Sequence, residues 1–188
     1  MDLSFIIMAV SIVWIASEVI LSRVKRSREG GGGLDRSSFR FLWIAITVGV
    51  TGGVLLSRQS VGHWAGVGVE MGMIGLVLIV AGLALRWFAI LSLKQHFTVD
   101  VAIAADHRIV TSGVYGILRH PAYAGTLLSF FGLGIYFMNT WSLLVLCVPV
   151  TAAFLYRIRV EETALTDAFG DEYRTYQSTT KRLIPGIY

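Results

Sequence analysis

Apolar residues in this chain fall into long runs separated by short polar stretches. A transmembrane helix needs about 20 consecutive, mostly apolar residues. The runs that meet or approach this length are Leu3–Ser22, Phe39–Leu56, Val67–Leu93, Ala122–Met138 and Trp141–Tyr156. The pattern predicts an all-α integral membrane protein with about five transmembrane helices.

The last two runs are short and meet at Asn139 and Thr140, which predicts a tight helical hairpin. The first run lacks the basic start and the cleavage site of a signal peptide, so we expect it to remain as a span. Spaced glycines permit close helix packing. The candidate pairs are Gly49/Gly53, Gly62/Gly66 and Gly68/Gly72.

Basic residues predict the orientation of these helices. The second loop, Ser57–Gly66, carries only Arg58, whereas the first loop, the third loop and the C-terminal tail are richer in basic residues. Cytoplasmic loops carry an excess of Lys and Arg. We therefore expect the N-terminus outside and the C-terminus in the cytoplasm.

Composition agrees with a membrane protein and excludes other classes. Of the 188 residues, 55% are hydrophobic and 15% charged, and the formal charge is +4. That charge fits cytoplasmic loops facing anionic lipid. Nucleic-acid binding is not indicated, because the sequence shows no basic face interleaved with aromatic residues. Cys147 is the only cysteine, so the sequence predicts no internal disulfide, and no pair of cysteines indicates a metal site.

Two segments, Lys94–Tyr123 and Arg157–Tyr188, are too polar to be spans, and both fall on the predicted cytoplasmic side. A polar site at a membrane face can meet both a water-soluble cofactor and a lipid. We therefore expect one domain over residues 1–188, with residues 1–66 as scaffold and residues 94–188 as the cofactor-binding catalytic region.

His120 precedes Pro121, which disfavours a helical conformation at His120 but is well suited to begin a helix. His120 should therefore sit at the mouth of the fourth helix, with Tyr123 in the first turn. This corner suits a ligand with an aromatic ring and a hydrogen-bonding edge. It also fits an interfacial helix start without a ligand, in which Arg119 binds phosphates and Tyr123 belongs to an aromatic belt.

Arg157 and Glu161 are four residues apart where the fifth helix leaves the bilayer, so they share a helix face. The simpler interpretation is that they form an intrahelical ion pair and have no further role. Ionisable residues at a membrane boundary are costly, however, and tend to mark functional sites. The segment from Phe169 to Tyr173 contains Gly170 and predicts a helix end followed by a new start.

The C-terminal half resembles the isoprenylcysteine carboxyl methyltransferases. The resemblance covers Phe97 to Pro185, about half of the chain. The residues that carry it are Gly113-Val114-Tyr115, Arg119-His120-Pro121-x-Tyr123-x-Gly125, Arg157, Glu161-Glu162 and Phe169-Gly170-Asp171-Glu172-Tyr173-x-x-Tyr176. The chain is closer in size to prokaryotic relatives, which lack the extra N-terminal spans of eukaryotic members, and this resemblance implies a bacterial or archaeal inner membrane.

The resemblance implies a membrane enzyme of five to eight helices that uses S-adenosyl-L-methionine and releases S-adenosyl-L-homocysteine. It implies that the adenosine side is lined by His107, Arg108, Ile109, Val110 and Tyr115. It implies that the core of the pocket is formed by His120, Pro121, Ala122 and Tyr123. Glu161 would hold the methionine end, with Glu162 beside it.

The resemblance further implies that Arg157 holds the carboxylate of the acceptor, so that Arg157 and Glu161 are the expected catalytic residues. Arg159 is a second arginine nearby, and the sequence leaves the choice between the two open. The expected acceptor is a lipid-like carboxylate, such as the C-terminal carboxyl of a prenylated cysteine or an analogous isoprenoid or lipid acid. Its tail would meet membrane lipid.

Two other functions fit parts of the pattern. NADPH-dependent membrane reductases of the sterol-reductase type share a similar Arg-His-Pro-x-Tyr-x-Gly element. They usually continue with an acidic residue, where this chain has Thr126, and lack the Glu161-Glu162 pair. A non-enzymatic membrane scaffold would leave His120, Arg157 and Glu161 unexplained at one membrane face. The sequence therefore favours a methyltransferase.

Overall fold

The computed structural model describes residues 3–24, 33–93 and 109–188, and this part of the chain is almost entirely helical. Its α-helices are α1 (Leu3–Val24), α2 (Gly33–Ser57), α3 (Val69–Leu93), α4 (Pro121–Tyr136), α5 (Thr140–Phe169) and α6 (Asp171–Thr179). A short 3-10 helix, Gly113–Gly116, precedes α4. The expected all-α membrane architecture is therefore confirmed.

Among the described residues, four helices are long and apolar enough to cross a membrane: α1, α2, α3 and α5. The predicted fourth span, Ala122–Met138, is a helix of only 16 residues. It falls short of the roughly 20 residues that a bilayer requires. The predicted fifth span, Trp141–Tyr156, lies within α5, which continues to Phe169 and ends at Gly170 as the sequence predicted. Of the charged residues in this helix that suggested an exit from the bilayer, Arg157 and Glu162 are buried, whereas Arg159 is exposed.

The predicted hairpin of α4 and α5 is confirmed, and Asn139 explains its tight turn. The Asn139 side chain caps α5 by accepting hydrogen bonds from the backbone N–H groups of Trp141, at 2.9 Å, and Ser142, at 3.1 Å. Its amide nitrogen donates to the carbonyl of Val61 at 2.9 Å. One buried side chain thus joins the α4–α5 turn to the loop between α2 and α3. This end of the bundle is called the far end below.

Small residues allow α3 and α4 to pack at close range. A Cβ added to Gly75 would lie 2.7 Å from the carbonyl oxygen of Gly132, so the two backbones leave no room for a side chain. Gly49 and Gly53 face α5 in a similar way, which confirms that predicted pair. Of the other two predicted pairs, Gly72 alone lies at a helix contact, where an added Cβ would be 2.7 Å from the Leu3 side chain on α1. Gly62 and Gly66 have positive φ angles in the loop between α2 and α3, and Gly68 precedes α3.

α2 packs against α5, and α3 packs against α4. A hydrophobic core joins the helices, with buried members Trp14, Leu42, Ala45, Phe130, Leu146, Val150, Ala153 and Phe154. The chain direction places the start of α4 and the end of α5 opposite the far end. We call this opposite side the site end.

An ion pair joins α1 to the bundle near the site end. Arg86 on α3 contacts both carboxylate oxygens of Glu18 on α1, each at 2.6 Å. The Arg86 guanidinium also donates to the hydroxyl of Thr126 on α4 at 3.0 Å. Because the α1 surface is mostly exposed apolar side chains, this pair is its main polar link to the other helices.

Candidate active site

The candidate site is built where α4 begins, α5 ends and the C-terminal tail returns. His120 is the residue that precedes α4, and Pro121 occupies its first turn, as the sequence predicted. The tail pairs with this corner through its backbone. Arg119 donates its N–H to the carbonyl of Lys181 at 2.7 Å, and His120 donates to the carbonyl of Arg182 at 3.1 Å. The mouth of α4 is therefore held on one side by the tail.

Tyr123 contacts both Glu161 and Arg157, the residues expected to hold the cofactor and the acceptor. Its hydroxyl donates to Glu161 Oε2 at 2.8 Å and lies 3.3 Å from the Nε of Arg157, which donates to it. The His120 ring stacks parallel to the Tyr123 ring, with centroids 5.6 Å apart. His120 Nδ1 is 3.8 Å from Glu161 Oε2. The structure thus brings His120, Tyr123, Arg157 and Glu161 into one cluster.

Arg157 is only 2% exposed and is held from the side by α2. Its Nη1 donates to the hydroxyl of Ser38 at 3.1 Å, and its guanidinium lies 5.4 Å from the centre of the Phe39 ring. A guanidinium over an aromatic face gains a cation–π attraction. The first helices therefore do more than form a scaffold, because α2 fixes the orientation of a charged group in the site.

Glu162 is the centre of a buried clamp. Its Oε1 accepts from the Nε of Arg119 at 2.9 Å and lies 3.3 Å from His120 Nε2. Its Oε2 accepts from Arg182 at 2.9 Å from Nε and 2.7 Å from Nη2. Arg119 also donates to the carbonyls of Gln177 and Thr180. The carboxylate thus ties α5, the mouth of α4 and the tail together.

Tyrosines from the 3-10 helix and α6 border the same corner. Tyr176 donates its hydroxyl to the carbonyl of Tyr115 at 2.6 Å, and Tyr115 donates to the carbonyl of Ala89 at 3.3 Å. Tyr173 is 2% exposed, and its hydroxyl has no hydrogen-bond partner in the described structure. Burial raises the pKa of Tyr176 to about 12 and raises the pKa of Tyr173 further. These hydroxyls therefore keep their protons at neutral pH.

The remaining predicted cofactor residues have different surroundings. His107 and Arg108 lie outside the described residues. Ile109 and Val110 are partly buried just before the 3-10 helix, and Val110 packs against a small cluster that includes Ala122. Pro121 is also buried. Their roles toward a cofactor stay predictions.

Several residues of the site were missed in the sequence. Arg119 was weighed only as a phosphate contact, and Arg182 only as a basic residue of the tail. Ser38 and Phe39 sit at the start of an apolar run that carries no motif. The signals were slight: a serine inside a span, and an arginine whose partner is 20 residues away. Each contact depends on tertiary packing that a local pattern does not encode.

Helices of membrane-spanning length and a buried, charged site at one end of the bundle define this protein as a membrane protein with a polar site at its boundary. Comparison with known proteins gives the family. Residues 73–167 match the family model described as the isoprenylcysteine carboxyl methyltransferase (ICMT) family. The chain belongs to this family, as the resemblance of its motifs predicted.

Individual relatives agree with this assignment. The chain is 35% identical over 115 residues to protein-S-isoprenylcysteine O-methyltransferase B of Arabidopsis thaliana, covering 60% of this chain and 58% of that protein. It is 34% identical over 132 residues to protein-S-isoprenylcysteine O-methyltransferase of Tribolium castaneum, covering 66% of this chain and 43% of that protein. The chain thus spans about half the length of the curated relatives it matches.

A solved structure shares the fold. The eukaryotic intramembrane Ras methyltransferase ICMT superposes with a TM-score of 0.54 at 29% sequence identity. The match covers 81% of this chain and 52% of that one. Ser38 and Phe39 lie outside the residues that match the family model, although they contact Arg157 within it.

Proposed function

We propose that this protein transfers a methyl group from S-adenosyl-L-methionine to the carboxylate of a lipid-like acceptor. The acceptor class includes the C-terminal carboxyl of a prenylated cysteine and analogous isoprenoid or lipid acids. One observation carries the proposal. A carboxylate, Glu161, and a buried guanidinium, Arg157, flank the same tyrosine hydroxyl at the site end of a membrane bundle.

The residues fit the chemistry of the methyl donor. The Glu161 side chain is 28% exposed, and only its Oε2 has a hydrogen bond within the described residues. Its Oε1 is available to the ammonium group of the donor's methionine end as a charge-assisted acceptor. The parallel rings of His120 and Tyr123 lie beside Glu161, and aromatic rings attract cations such as a sulfonium.

Arg157 is the better of the two candidates for the acceptor. It is buried and directed by Ser38, Phe39 and Tyr123, whereas Arg159 is exposed on the other side of α5. A fixed guanidinium can grip a carboxylate with two parallel hydrogen bonds. We therefore assign acceptor binding to Arg157. The hydrocarbon tail of the acceptor would lie in lipid beside the helices.

The work of the protein is positioning and desolvation. When bound, S-adenosyl-L-methionine supplies an electrophilic methyl group, and transfer leaves S-adenosyl-L-homocysteine and a methyl ester. An acceptor carboxylate is already ionised at neutral pH, so no side chain has to remove a proton. Glu161 and Arg157 would align the two reactants for an in-line displacement, and the apolar surroundings of the bundle would exclude water.

The same proposal places the site on the cytoplasmic face, with the N-terminus outside, in a bacterial or archaeal inner membrane. Basic residues in the first loop, the third loop and the tail support this orientation. The tail that carries Arg182 lies at the site end, together with Glu162. Donor and product, both water-soluble, would then exchange with the cytoplasm.

Calorimetry on the full chain in detergent tests the function. We expect S-adenosyl-L-homocysteine to bind wild type, and Glu161→Ala and His120→Ala to lose at least tenfold in affinity. Arg174→Ala, which removes an exposed ion pair with Asp171, is the matched control and should bind as wild type does. Tight binding of NADPH without binding of S-adenosyl-L-homocysteine would instead favour a sterol-type reductase.

A further inference from the structure

The hydroxyl of Tyr173 is an unusual feature of this structure. It is the one buried side-chain oxygen or nitrogen of the described residues that lacks a hydrogen-bond partner. Buried polar groups are nearly always paired, because an unmet donor costs about 1–3 kcal/mol. If the ring alone were needed for packing, phenylalanine would serve without this cost. We therefore expect the unpaired Tyr173 hydroxyl to bind a ligand that is not part of the chain.

The position of Tyr173 indicates where that ligand lies. Tyr173 is in the first turn of α6, and its ring centre is 5.9 Å from that of Tyr176. Tyr176 in turn donates to the carbonyl of Tyr115, one of the residues expected to line the adenosine side. Tyr173 thus lies beside the tyrosines that border the candidate site.

The acidic pair of the candidate site acts electrostatically on the Tyr173 hydroxyl. Burial raises the pKa of Tyr173 most, and the negative charges of Glu162 and Glu161 raise it further, while Arg119 lowers it. These charges act at short range in a poorly solvated site. The hydroxyl is therefore protonated and can act as a donor near the residues that would bind the cofactor.

We propose that the Tyr173 hydroxyl donates a hydrogen bond to an acceptor atom of the bound S-adenosyl group, so that α6 forms a wall of the cofactor site. The inference rests on the proposed function and adds a binding residue to it. Binding of the cofactor would satisfy the orphan hydroxyl. Part of the binding free energy would thus come from removing an unfavourable feature of the empty protein.

Tyr173→Phe should combine unchanged or higher stability with weaker ligand binding, which is unusual for a substitution at a buried position. The substitution removes a hydroxyl that has no partner, so the melting temperature without ligand should stay the same or rise. The affinity for S-adenosyl-L-homocysteine should fall roughly three- to tenfold, the range expected for one neutral hydrogen bond. Tyr176→Phe is the matched control. It removes a hydroxyl that is used within the chain, so its melting temperature without ligand should fall.

The test uses purified full-length protein in detergent, with calorimetry and thermal melting. Equal affinity of wild type and Tyr173→Phe for S-adenosyl-L-homocysteine would overturn the inference and leave the proposed function standing. A lower melting temperature of ligand-free Tyr173→Phe would also overturn it, because the hydroxyl would then have a partner in the protein. Failure of wild type to bind would reject the proposed function itself.

A second measurement does not depend on a change in affinity. In protein labelled with 3-fluorotyrosine, the fluorine resonance missing from Tyr173→Phe identifies Tyr173. We expect this resonance to shift when S-adenosyl-L-homocysteine is added, whereas the resonance of the exposed Tyr156 should not. A Tyr173 resonance that does not respond to saturating ligand would contradict the proposed contact.

Discussion

Replacing Glu162 by glutamine should loosen the C-terminal tail while leaving the long membrane helices intact. The carboxylate accepts from Arg119 with one oxygen and from Arg182 with the other. Glutamine keeps the shape but offers only one acceptor oxygen, and its amide group would face an arginine. At least one of the two arginines would therefore lose its partner.

The magnitude follows from the burial of the partners. The Glu162 side chain is 6% exposed, and those of Arg119 and Arg182 are 9% and 31% exposed. Breaking a buried ion pair costs about 3–5 kcal/mol, whereas exposed pairs are worth about 1 kcal/mol or less. With one buried and one partly exposed partner, we expect a loss of about 3 kcal/mol. For a chain of this length that corresponds to a melting-temperature decrease of about 6–12 °C.

Thermal melting and trypsin cleavage check this prediction. Trypsin cuts after Lys181 and Arg182, whose carbonyls accept hydrogen bonds from Arg119 and His120 in the native structure. We expect faster cleavage there in Glu162→Gln than in wild type. Glu161→Gln is the matched control, because its amide oxygen can still accept from Tyr123 and its side chain is partly exposed. Its stability should change by less than about 1 kcal/mol.

Comparing Glu162→Gln with Glu161→Gln tests whether the Glu162 clamp holds the tail. Equal melting temperatures and equal cleavage rates for Glu162→Gln and Glu161→Gln would show that the clamp does not hold the tail. Conversely, loss of S-adenosyl-L-homocysteine binding in Glu161→Gln at unchanged stability would separate the two roles. Sequence position alone does not distinguish these adjacent residues.

Three further predictions concern the acceptor and the packing of the helices. Arg157→Ala should abolish turnover while affinity for S-adenosyl-L-homocysteine stays within about threefold in calorimetry; loss of binding would reassign Arg157 to the cofactor. Gly75→Ala should lower stability by about 1–3 kcal/mol in thermal or denaturant unfolding, because the α4 backbone blocks the added methyl. Gly68→Ala, which meets only a flexible side chain, should change it little. Arg86→Met should cost about 3–5 kcal/mol by leaving the Glu18 charge unpaired, and adding Glu18→Leu should recover most of this loss.

Helix ends were predictable because their signals are local. Pro121 fixes the start of α4, and Gly170, at φ +54°, ends α5 in a conformation that glycine adopts readily. The turn at Asn139 was predicted from the break between two apolar runs. The end of α5 at Phe169 follows from the same Gly170 signal, whereas the burial of Arg157 and Glu162 was not predictable, because their partners come from other elements.

The neighbours of the charged residues could not be read from the sequence. Ser38 is 119 positions from Arg157, and no periodicity links the two. Arg157 and Glu161 were correctly expected on one helix face. The structure shows them joined through the hydroxyl of Tyr123, a third element that spacing within α5 does not reveal. Side-chain geometry of this kind is set by packing between helices.

The pairing of α2 with α5 has a consequence for biosynthesis. α3 and α4 are consecutive helices in the bundle and can pair soon after both are made, but α2 packs against α5, which is made after both of them. Until α5 arrives, the buried Ser38 hydroxyl has no Arg157 to bind. Glu162 is also made before Arg182, which completes its clamp. Assembly of the candidate site therefore has to wait for α5 and for the tail, and a ribosome-bound chain that ends before the tail should be unable to bind the cofactor.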